Sequence, residues 1–385
     1  MIDIMRYEIE KIIKSMTFIS SIIVSFLILA GIFFIGFNYS QLSLSEPHNQ
    51  EKGFSQLSKK SADAHAGEFN DQTVQEILSD FMVMYQSKTV EQRPFDLFSW
   101  NIADVFFAKD KDIYIEMNDG IEQGEKMTID QVKVLSMDEV GFSKFSTPLT
   151  IGSYTNWSDL FKVSGSVFIL ISVLVIVICS TVFSGEVARN ISQLLLSTKY
   201  GRTKMLTAKI YVSTLISIIL FVLVHMLTFF YFYFHYYGMD GWNASIQTNF
   251  SLKLFNFPLE VNNLQIYLLI LIFQLAGLLA LVGVTLFISA VTKTTFSSLA
   301  ISIGLFFLPL GLISLFKTGF INTLLYLFPI NLYNPEKMLT VMSSSKGFIF
   351  HNFSQNFAVT LCFLLSVKII ADLFSYFKLH RSQAG

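Results

Sequence analysis

The amino-acid sequence predicts an all-α polytopic membrane protein, with six transmembrane helices, an N-terminal amphipathic helix and a mixed α/β extracellular insertion between spans 1 and 2. Three observations predict this class. Hydrophobic residues make up 52% of the 385 residues and charged residues only 14%, whereas soluble domains carry about 25% charged residues. Six apolar runs are long enough to cross the hydrocarbon of a bilayer as helices. Residues 38–160 carry 20 acidic and 10 basic side chains, which indicates a water-facing segment within a basic membrane body.

The first element is a cytoplasmic amphipathic helix over residues 1–16. Its apolar side chains recur at helical spacing on one face, and charged side chains occupy the rest. The apolar face comprises Ile2, Met5, Ile9, Ile12, Ile13 and Met16. Such a helix can lie in the plane of the interface, with its cations toward lipid headgroups. Two interpretations stay open: an elbow helix that packs beside a partner or gates a lateral opening, and a plain topogenic anchor.

The six spans follow from the apolar runs. The predicted spans are residues 17–37, 163–183, 210–233, 264–291, 296–316 and 357–374. The first run is too long for a signal peptide and no A-x-A site follows it, so we expect a retained helix. An apolar stretch near residues 320–330 is too short to span, which favours a re-entrant or interfacial segment within residues 210–385.

The distribution of Lys and Arg near the span ends predicts the orientation of the chain. With the N-terminus inside, twelve of these basic residues lie on the cytoplasmic side and five on the opposite side. Both termini are therefore expected in the cytoplasm, and residues 38–162 are expected to form an extracellular domain.

The predicted extracellular domain contains segments that are typical of a folded structure. Residues 71–78 predict a capped amphipathic helix. Residues 113–117 predict a short strand before the turn signal of residues 118–120. The two cysteines, Cys179 and Cys362, lie in apolar runs elsewhere in the chain and are interpreted as small core residues, so they provide no disulfide framework.

The segment between spans 2 and 3, residues 184–209, predicts a cytoplasmic coupling loop. Glu186 stands at the membrane border, and a short amphipathic helix follows with Ile191, Leu194 and Leu195 on one face. A turn at Gly201 and a basic cluster then lead into span 3. A short helix parallel to the membrane, held at both ends, can receive force from a soluble partner. The alternative is an ordinary basic loop that obeys the positive-inside distribution.

This segment resembles the first cytoplasmic loop of ABC-2 type permeases, the membrane subunits of ABC exporters. That family shows a Glu at the membrane edge, a Leu-Leu pair, a Gly-Arg turn and a Lys at the next helix. The matching residues are Glu186, Leu194, Leu195, Gly201, Arg202 and Lys209. Where family members often have Pro in the turn, this chain has Lys199-Tyr200. Residues 154–160 and 327–332, together with the six-span layout, resemble bacterial members with a large extracellular loop after the first span.

The resemblance implies a transport subunit of a bacterial plasma membrane that has no ATPase site of its own. The sequence contains no G-x-x-x-x-G-K-[ST] phosphate loop. ATP and Mg are therefore expected on a separate ABC ATPase subunit, with no cofactor in this chain. The other expected partners are the lipid bilayer and a second permease copy, in a homodimer or a heterodimer. The residues expected to couple to the ATPase are Glu186, Arg189, Leu194, Leu195, Gly201, Arg202 and Lys204.

Polar side chains inside the predicted spans provide the remaining candidate residues, since an ionisable group in a span is a functional hypothesis by default. His225 in span 3 and Gln274 in span 4 are candidates for a transport path, with hydrogen bonding between helices as the alternative. The sequence carries no H-E-x-x-H or G-x-S-x-G motif, so no catalytic or metal-binding residue is predicted. The basic cluster is too short and too close to the membrane to predict nucleic-acid binding.

The sequence leaves two functions open. The first is the permease subunit of an ATP-driven exporter for a hydrophobic or amphipathic substrate, such as a peptide, a bacteriocin, a drug or a lipid. The second is a membrane-anchored sensor or assembly factor whose extracellular domain binds a partner without transport. A co-purifying ATPase would favour the first.

Overall fold

The computed structural model of the chain describes residues 1–42, 54–87, 96–110, 112–142, 144–145, 147–198, 200–236, 238–252, 254–344 and 348–381. The chain divides into two compact units. We call Met1–Phe33, Val163–Thr228 and Leu269–Gly385 the membrane unit, and Phe34–Lys162 with Phe229–Leu268 the insertion unit. The insertion unit therefore includes residues 229–268 in addition to the predicted extracellular domain.

Helices dominate the described residues, as the composition predicts. In chain order they are α1 (Ile2–Ile13), α2 (Met16–Leu42), α3 (Phe54–Ala64), α4 (Asp71–Gln86), α5 (Leu97–Phe106), α6 (Ile113–Gln123), α7 (Met137–Val140), α8 (Thr155–Ser180), α9 (Ser184–Ala188), α10 (Ser192–Ser197), α11 (Leu206–His235), α12 (Asn263–Val291), α13 (Thr295–Leu315), α14 (Phe320–Tyr326), α15 (Pro335–Met342) and α16 (Phe353–Arg381). Two short strands, β1 (Gly67–Glu68) and β2 (Thr150–Ile151), pair antiparallel.

Six of the described helices are long and apolar enough to cross a membrane, which confirms the predicted number of spans. These candidate spans are Met16–Gly36, Thr155–Ser180, Thr203–His235, Asn263–Val291, Thr295–Leu315 and Phe353–Arg381. The second begins eight residues before its predicted start and the sixth ends seven residues after its predicted end. Hydropathy marks only the part of a helix that suits lipid, whereas its hydrogen bonds continue into flanking polar residues.

In the membrane unit, the apolar face of α1 packs against spans 1, 2 and 3. Met5, Ile9 and Ile12 pack on a core cluster that includes Ile178 of α8 and Val212 of α11. The same cluster takes in Phe18 and Ile22 of α2. Protein therefore covers Met5, Ile9 and Ile12 of the apolar face, whereas Ile2, Ile13 and Met16 are exposed.

The predicted re-entrant or interfacial segment is a broken structure in the membrane unit. α14 is followed by a 3-10 turn, Pro329–Tyr333, and then by α15. Ile330 is fully buried, and Gln274 of α12 donates a hydrogen bond to the carbonyl of Leu332 at 3.1 Å. A Cβ at Gly165 of α8 would overlap the carbonyl oxygen of Tyr333, so this backbone approaches α8 at a position that requires glycine. Protein thus covers the irregular backbone at this point.

The insertion unit has an aromatic core of its own. Phe69, Phe106 and Phe142 pack on one another with ring centroids 5.7 to 6.2 Å apart. Phe250 lies 5.7 Å from Phe69, ring centroid to ring centroid, which explains why residues 229–268 belong to this unit. Helix α4 confirms the predicted amphipathic helix, and its N-cap is Asn70, whose side chain accepts a hydrogen bond from the Thr73 amide at 2.9 Å.

The strand predicted over residues 113–117 is wrong, because this segment is the first part of α6. Asp112 caps the helix by accepting hydrogen bonds from two backbone amides, and Gly124 ends it in the left-handed conformation. Ile113 and Met117, four residues apart, are buried on one face, whereas Ile115 is 57% exposed. Burial at a spacing of four fits a helix, and the alternation of apolar residues misled the sequence-based interpretation.

Candidate functional site

The 184–209 segment folds as two short helices and a π-helical turn. α9 follows α8 closely, and Asn190 connects α9 to α10 with φ of 58°. This is the left-handed region, which Asn adopts more readily than most residues. Beyond α10 the π-helical turn, Gly201–Met205, runs directly into α11. The segment thus reverses direction between spans 2 and 3 without a long flexible connection.

Ser289 of α12 fixes the beginning of α9. Its hydroxyl accepts hydrogen bonds from the amides of Phe183 and Ser184, at 3.1 and 3.0 Å, and donates one to the carbonyl of Ser180 at 2.8 Å. These are backbone groups at the end of one helix and the start of the next, where no intrahelical partner is available. The 184–209 segment is therefore anchored to the transmembrane helices at its first residue.

Glu186 lies at the centre of a buried ionic cluster. Its carboxylate accepts hydrogen bonds from the amines of Lys11 on α1 and Lys209 on α11. Glu8 of α1 completes the cluster, with 3.6 Å between a carboxylate oxygen and Lys11 Nζ and 3.7 Å between the other oxygen and Lys209 Nζ. The cluster thus contains two lysines and two glutamates, and each lysine contacts both glutamates. Glu8 and Lys11 come from α1, Glu186 from α9 and Lys209 from α11.

Burial makes this cluster sensitive to the loss of any one member. Lys209 is 1% exposed, and Glu8 and Glu186 are also buried. The charges of the four side chains sum to zero, so each ion has a partner of opposite sign. Breaking a buried pair by removing one partner costs about 3–5 kcal/mol, because the other charge is left uncompensated. The cluster therefore holds α1, α9 and α11 in one arrangement.

Lys11 is the member of the cluster with the most access to solvent. Burial alone would lower the pKa of its amine, but the hydrogen bond to Glu186 and the attraction of Glu186 and Glu8 outweigh burial and raise the pKa above its ordinary value of 10.5. Lys11 is therefore fully charged at physiological pH and remains bound to Glu186.

Gly201 permits a close approach between the π-helical turn and α10. A Cβ at this position would overlap the carbonyl oxygen of Leu195 and lie 2.8 Å from Thr198 Oγ1. The overlapping atom belongs to the backbone, so a rotamer change cannot relieve it. Glycine is needed here for space, since residue 201 does not adopt a positive φ.

The other residues of the predicted coupling set differ in their surroundings. Leu194 is 70% exposed, and Leu195 is half-buried. Arg189 is exposed, and the amine of Lys204 lies 4.5 Å from the ring centroid of Tyr200. The side chain of Arg202 lies outside the described residues, as does Lys199. The structure thus brings Glu186 and Gly201 into the packed part of the segment and leaves Leu194, Arg189 and Lys204 at its surface.

Two cavities flank the ionic cluster within the membrane unit. One, of about 300 Å³, lies between α1, the end of α8, α9 and the start of α13, and Lys11, Glu186 and Arg189 line it. The other is an open cleft of about 410 Å³ between α1 and residues 198–205, with Tyr7 and Tyr200 in its lining. Both tyrosines are exposed, so the cleft presents aromatic side chains beside the 184–209 segment.

The two polar candidates inside the spans are both buried in the membrane unit. Neither ring nitrogen of His225 has a hydrogen-bond partner among the described residues, and the ring lies 4.3 Å from that of Phe221, between centroids. Gln274 donates hydrogen bonds to the carbonyls of Leu332 and Ser164, at 3.1 and 3.4 Å. Gln274 therefore joins α12 to α8 and to the broken segment. Within the described part of the chain, no three His, Cys, Asp or Glu side chains form a group able to hold a metal ion.

The sequence did not single out Glu8 and Lys11 as site residues. Lys209 matches the Lys that the ABC-2 pattern has at the start of the next helix, but the sequence does not predict its contacts with Glu186 and Glu8. The spacing of Glu8 and Lys11 is that of neighbours on one helix face, which predicts a local pair and nothing more. The contact of Lys11 with Glu186 joins residues 175 positions apart, so no local pattern could reveal it.

The chain matches a known protein family over nearly its whole length. The family model described as ABC-2 family transporter protein matches residues 2–376. No curated protein and no solved structure shows significant similarity to the chain. The matched range contains α1, all six candidate spans apart from the last residues of α16, and the whole ionic cluster.

Proposed function

This chain belongs to the ABC-2 family of transporter proteins, and from that membership we propose that it serves an ATP-driven exporter. It is the permease subunit of an ABC transporter, a multi-pass membrane protein that carries no ATPase domain of its own. Its proposed cargo is hydrophobic or amphipathic, such as a peptide, a bacteriocin, a drug or a lipid. Two copies, or one copy and a related subunit, would line the path through a bacterial plasma membrane.

The ABC ATPase subunit is proposed to dock on the 184–209 segment from the cytoplasm, holding ATP and Mg at its own site. The exposed side chains of Ile191 and Leu194 support this proposal, since burying neighbouring apolar groups of the segment against a partner is favourable. The adjacent cleft, with Tyr7 and Tyr200, offers the aromatic contacts that anchor many protein interfaces. Arg189 and Lys204 supply positive charge around these apolar groups.

The observation that carries the mechanism is the buried cluster around Glu186. A displacement of α9 and α10 cannot occur alone, because Glu186 is bound to Lys11 on α1 and to Lys209 at the start of α11. Movement of the segment by the ATPase would therefore be passed to α1 and to span 3 together. The movement would also reach span 4, because Ser289 of that span is hydrogen-bonded to the start of α9.

The test is co-purification of the chain with the ABC ATPase subunits of its own host cell, using the wild type and Leu194→Asn. Loss of the apolar contact should weaken the association about tenfold or more, as for the central residue of an interface. Ile115→Asn is the matched control, because Ile115 is an equally large apolar residue, 57% exposed, in the insertion unit. This control should retain the ATPase fully.

Two results would contradict the proposal. If no ATPase co-purifies with the wild-type chain, the sensor or assembly-factor alternative gains support instead. If Leu194→Asn and Ile115→Asn retain the ATPase equally, the docking surface lies elsewhere on the chain. Thermal unfolding of both variants in detergent distinguishes a lost interface from a lost fold, since a surface substitution should change stability by less than about 0.5 kcal/mol.

A further inference from the structure

A third cavity lies in the membrane unit at the far end of α13 from the 184–209 segment. The first residue of α13, Thr295, lies beside Gly185 of α9, with 3.6 Å between Thr295 Cγ2 and the position of a Cβ on Gly185. The last residues of α13, by contrast, border a cavity of about 340 Å³ formed with α14, the 3-10 turn and α15. Its lining includes Leu310, Lys317, Tyr326 and Lys337.

The charged side chains that line this cavity are both basic. Lys317 follows α13, and Lys337 comes from the first turn of α15. No aspartate or glutamate is among the lining residues, and neither lysine forms an ion pair with a carboxylate in the described part of the chain. Lys337 Nζ lies 5.5 Å from the ring centroid of Tyr326, which helps to hold it at the cavity.

The rest of the polar lining is arranged by hydrogen bonds to the backbone. Asn331, which is buried, donates to the carbonyl of Leu325 at 2.8 Å, and Asn322 donates to that of Phe316 at 2.6 Å. Asn334 accepts from the amide of Lys337 at 2.9 Å and so caps α15. These bonds hold the asparagine side chains of the cavity wall, and the two lysine amines are its charged donors.

The surface next to the cavity is apolar. Phe320, on α14, is 79% exposed, and Ile321 and Leu324 on the same short helix are also exposed. Leu315, the last residue of the candidate span, is exposed as well. A cationic cavity at the end of a span, bordered by exposed apolar side chains, matches an amphipath whose acidic head enters the cavity and whose tails lie in the bilayer.

We propose that Lys317 and Lys337 form a binding site for the headgroup phosphate of an anionic phospholipid from the surrounding bilayer. Lysine binds phosphate as a point charge with several rotatable donors, and the cavity has room for a phosphate and part of its glycerol. The neighbouring face of α14 receives the acyl chains. The site does not depend on the direction of transport, and a permease that fails the docking test of the previous section would retain it.

The test uses the purified full-length chain in nanodiscs of phosphatidylcholine. A trace of phosphatidylglycerol is added that carries a photoactivatable group on one acyl chain, close to the glycerol. Crosslinked peptides are then identified by mass spectrometry. The matching phosphatidylcholine probe is used in parallel. The phosphatidylglycerol probe should label residues 310–338 about tenfold more than the phosphatidylcholine probe. Each lysine near an anionic lipid contributes about 1 kcal/mol of binding free energy.

Three variants test the role of the two lysines. The double variant Lys317→Gln with Lys337→Gln should lose the preference for phosphatidylglycerol, whereas the double variant with Arg at both positions should retain it. Lys293→Gln is the matched control, because Lys293 is an exposed lysine at the other end of α13 and lines none of the three cavities. This control should also retain the preference.

The proposal is overturned if the two lipid probes label residues 310–338 equally in the wild type, or if the Gln double variant keeps the preference. Loss of the preference in the Arg double variant would also overturn it, since the positive charge is then not what selects the lipid. Competition by glycerol 3-phosphate separates two sources of the same chemistry. If glycerol 3-phosphate at the concentration of the lipid probe abolishes the labelling, the occupant is a free phosphate and the lipid proposal is overturned; unchanged labelling supports the lipid.

Discussion

Glu186 binds two lysines, Lys11, which lies 175 residues before it in the chain, and Lys209, which lies 23 residues after it. A carboxylate in this position is surrounded by protein, so its charge is compensated by the two amines rather than by water. The surface ion pairs of α1 differ, because Glu10 with its partners Arg6 and Lys14 is exposed and contributes at most about 1 kcal/mol.

Glu186→Gln should therefore lower the free energy of unfolding by about 3 kcal/mol, because the buried amine of Lys209 and the half-buried amine of Lys11 would share the single carboxylate of Glu8. Thermal unfolding of the purified chain in detergent measures the change. Glu10→Gln, on the exposed face of α1, is the matched control and should change stability by less than about 1 kcal/mol.

Adding Lys209→Met to Glu186→Gln should restore part of the lost stability, because it removes one of the two amines that would otherwise share the carboxylate of Glu8. The long apolar side chain of Met can occupy the space of the Lys209 stem. Equal destabilisation by Glu186→Gln and Glu10→Gln, or a double variant as unstable as the sum of both single variants, would contradict the buried cluster.

At the scale of single elements, the 184–209 segment shows how a short stretch acquires a fixed shape. α9 and α10 have five and six residues, too few to be stable helices by themselves. Their geometry comes from three fixed points: Ser289 at the start of α9, the ionic cluster at Glu186, and the close approach of Gly201 to Leu195. Each point lies on a different part of the segment, so the whole stretch is positioned.

Gly201→Ala should displace α10 from the π-helical turn, at a cost of about 1–3 kcal/mol for overpacking against backbone. In the assembled transporter we expect reduced stimulation of the partner ATPase by substrate, measured as phosphate release. Gly185→Ala is the matched control, because its Cβ would meet Thr295 at an ordinary 3.6 Å. An unchanged ATPase rate for Gly201→Ala, or an equal loss for Gly185→Ala, would show that the turn does not position the segment.

In helix α6, the capping residues and burial override a local pattern that favours a strand. Residues 113–117 alternate apolar and polar side chains in a way that favours a strand, yet Asp112 and Gly124 cap a helix at both ends. The cap residues were visible in the sequence, and an Asp before an apolar run is a helix start signal. Over five residues the two periods are hard to separate, and burial of Ile113 and Met117 in the aromatic core decided the outcome.

At the scale of the whole molecule, the six candidate spans among the described residues place both termini on the same side of the membrane, if these six are the segments that cross it. The distribution of Lys and Arg predicts that this side is the cytoplasm and that the acidic insertion unit is outside. These two arguments are independent of each other, since the first rests on hydropathy and the second on charge.

Cysteine labelling tests this topology in a variant that lacks Cys179 and Cys362. A membrane-impermeant maleimide added to intact cells should label Asp119→Cys, in α6 of the insertion unit, and should leave Arg6→Cys and Arg381→Cys unlabelled. Permeabilised cells provide the control, in which all three positions should react. Labelling of either terminal position in intact cells would contradict the predicted orientation.

The sequence by itself determined the six spans, the amphipathic α1 and the family, because each depends on local hydropathy, spacing or short motifs that a continuous stretch of chain carries. Only the tertiary structure decided that Glu8, Lys11, Glu186 and Lys209 form one cluster, that Phe250 completes the core of the insertion unit, and that Lys317 and Lys337 line one cavity. These groupings join residues far apart in the chain, and packing in three dimensions brings them together. Local periodicity is blind to such contacts, so a charge that looks like part of a solvated loop in the sequence can be a buried ion in the folded protein.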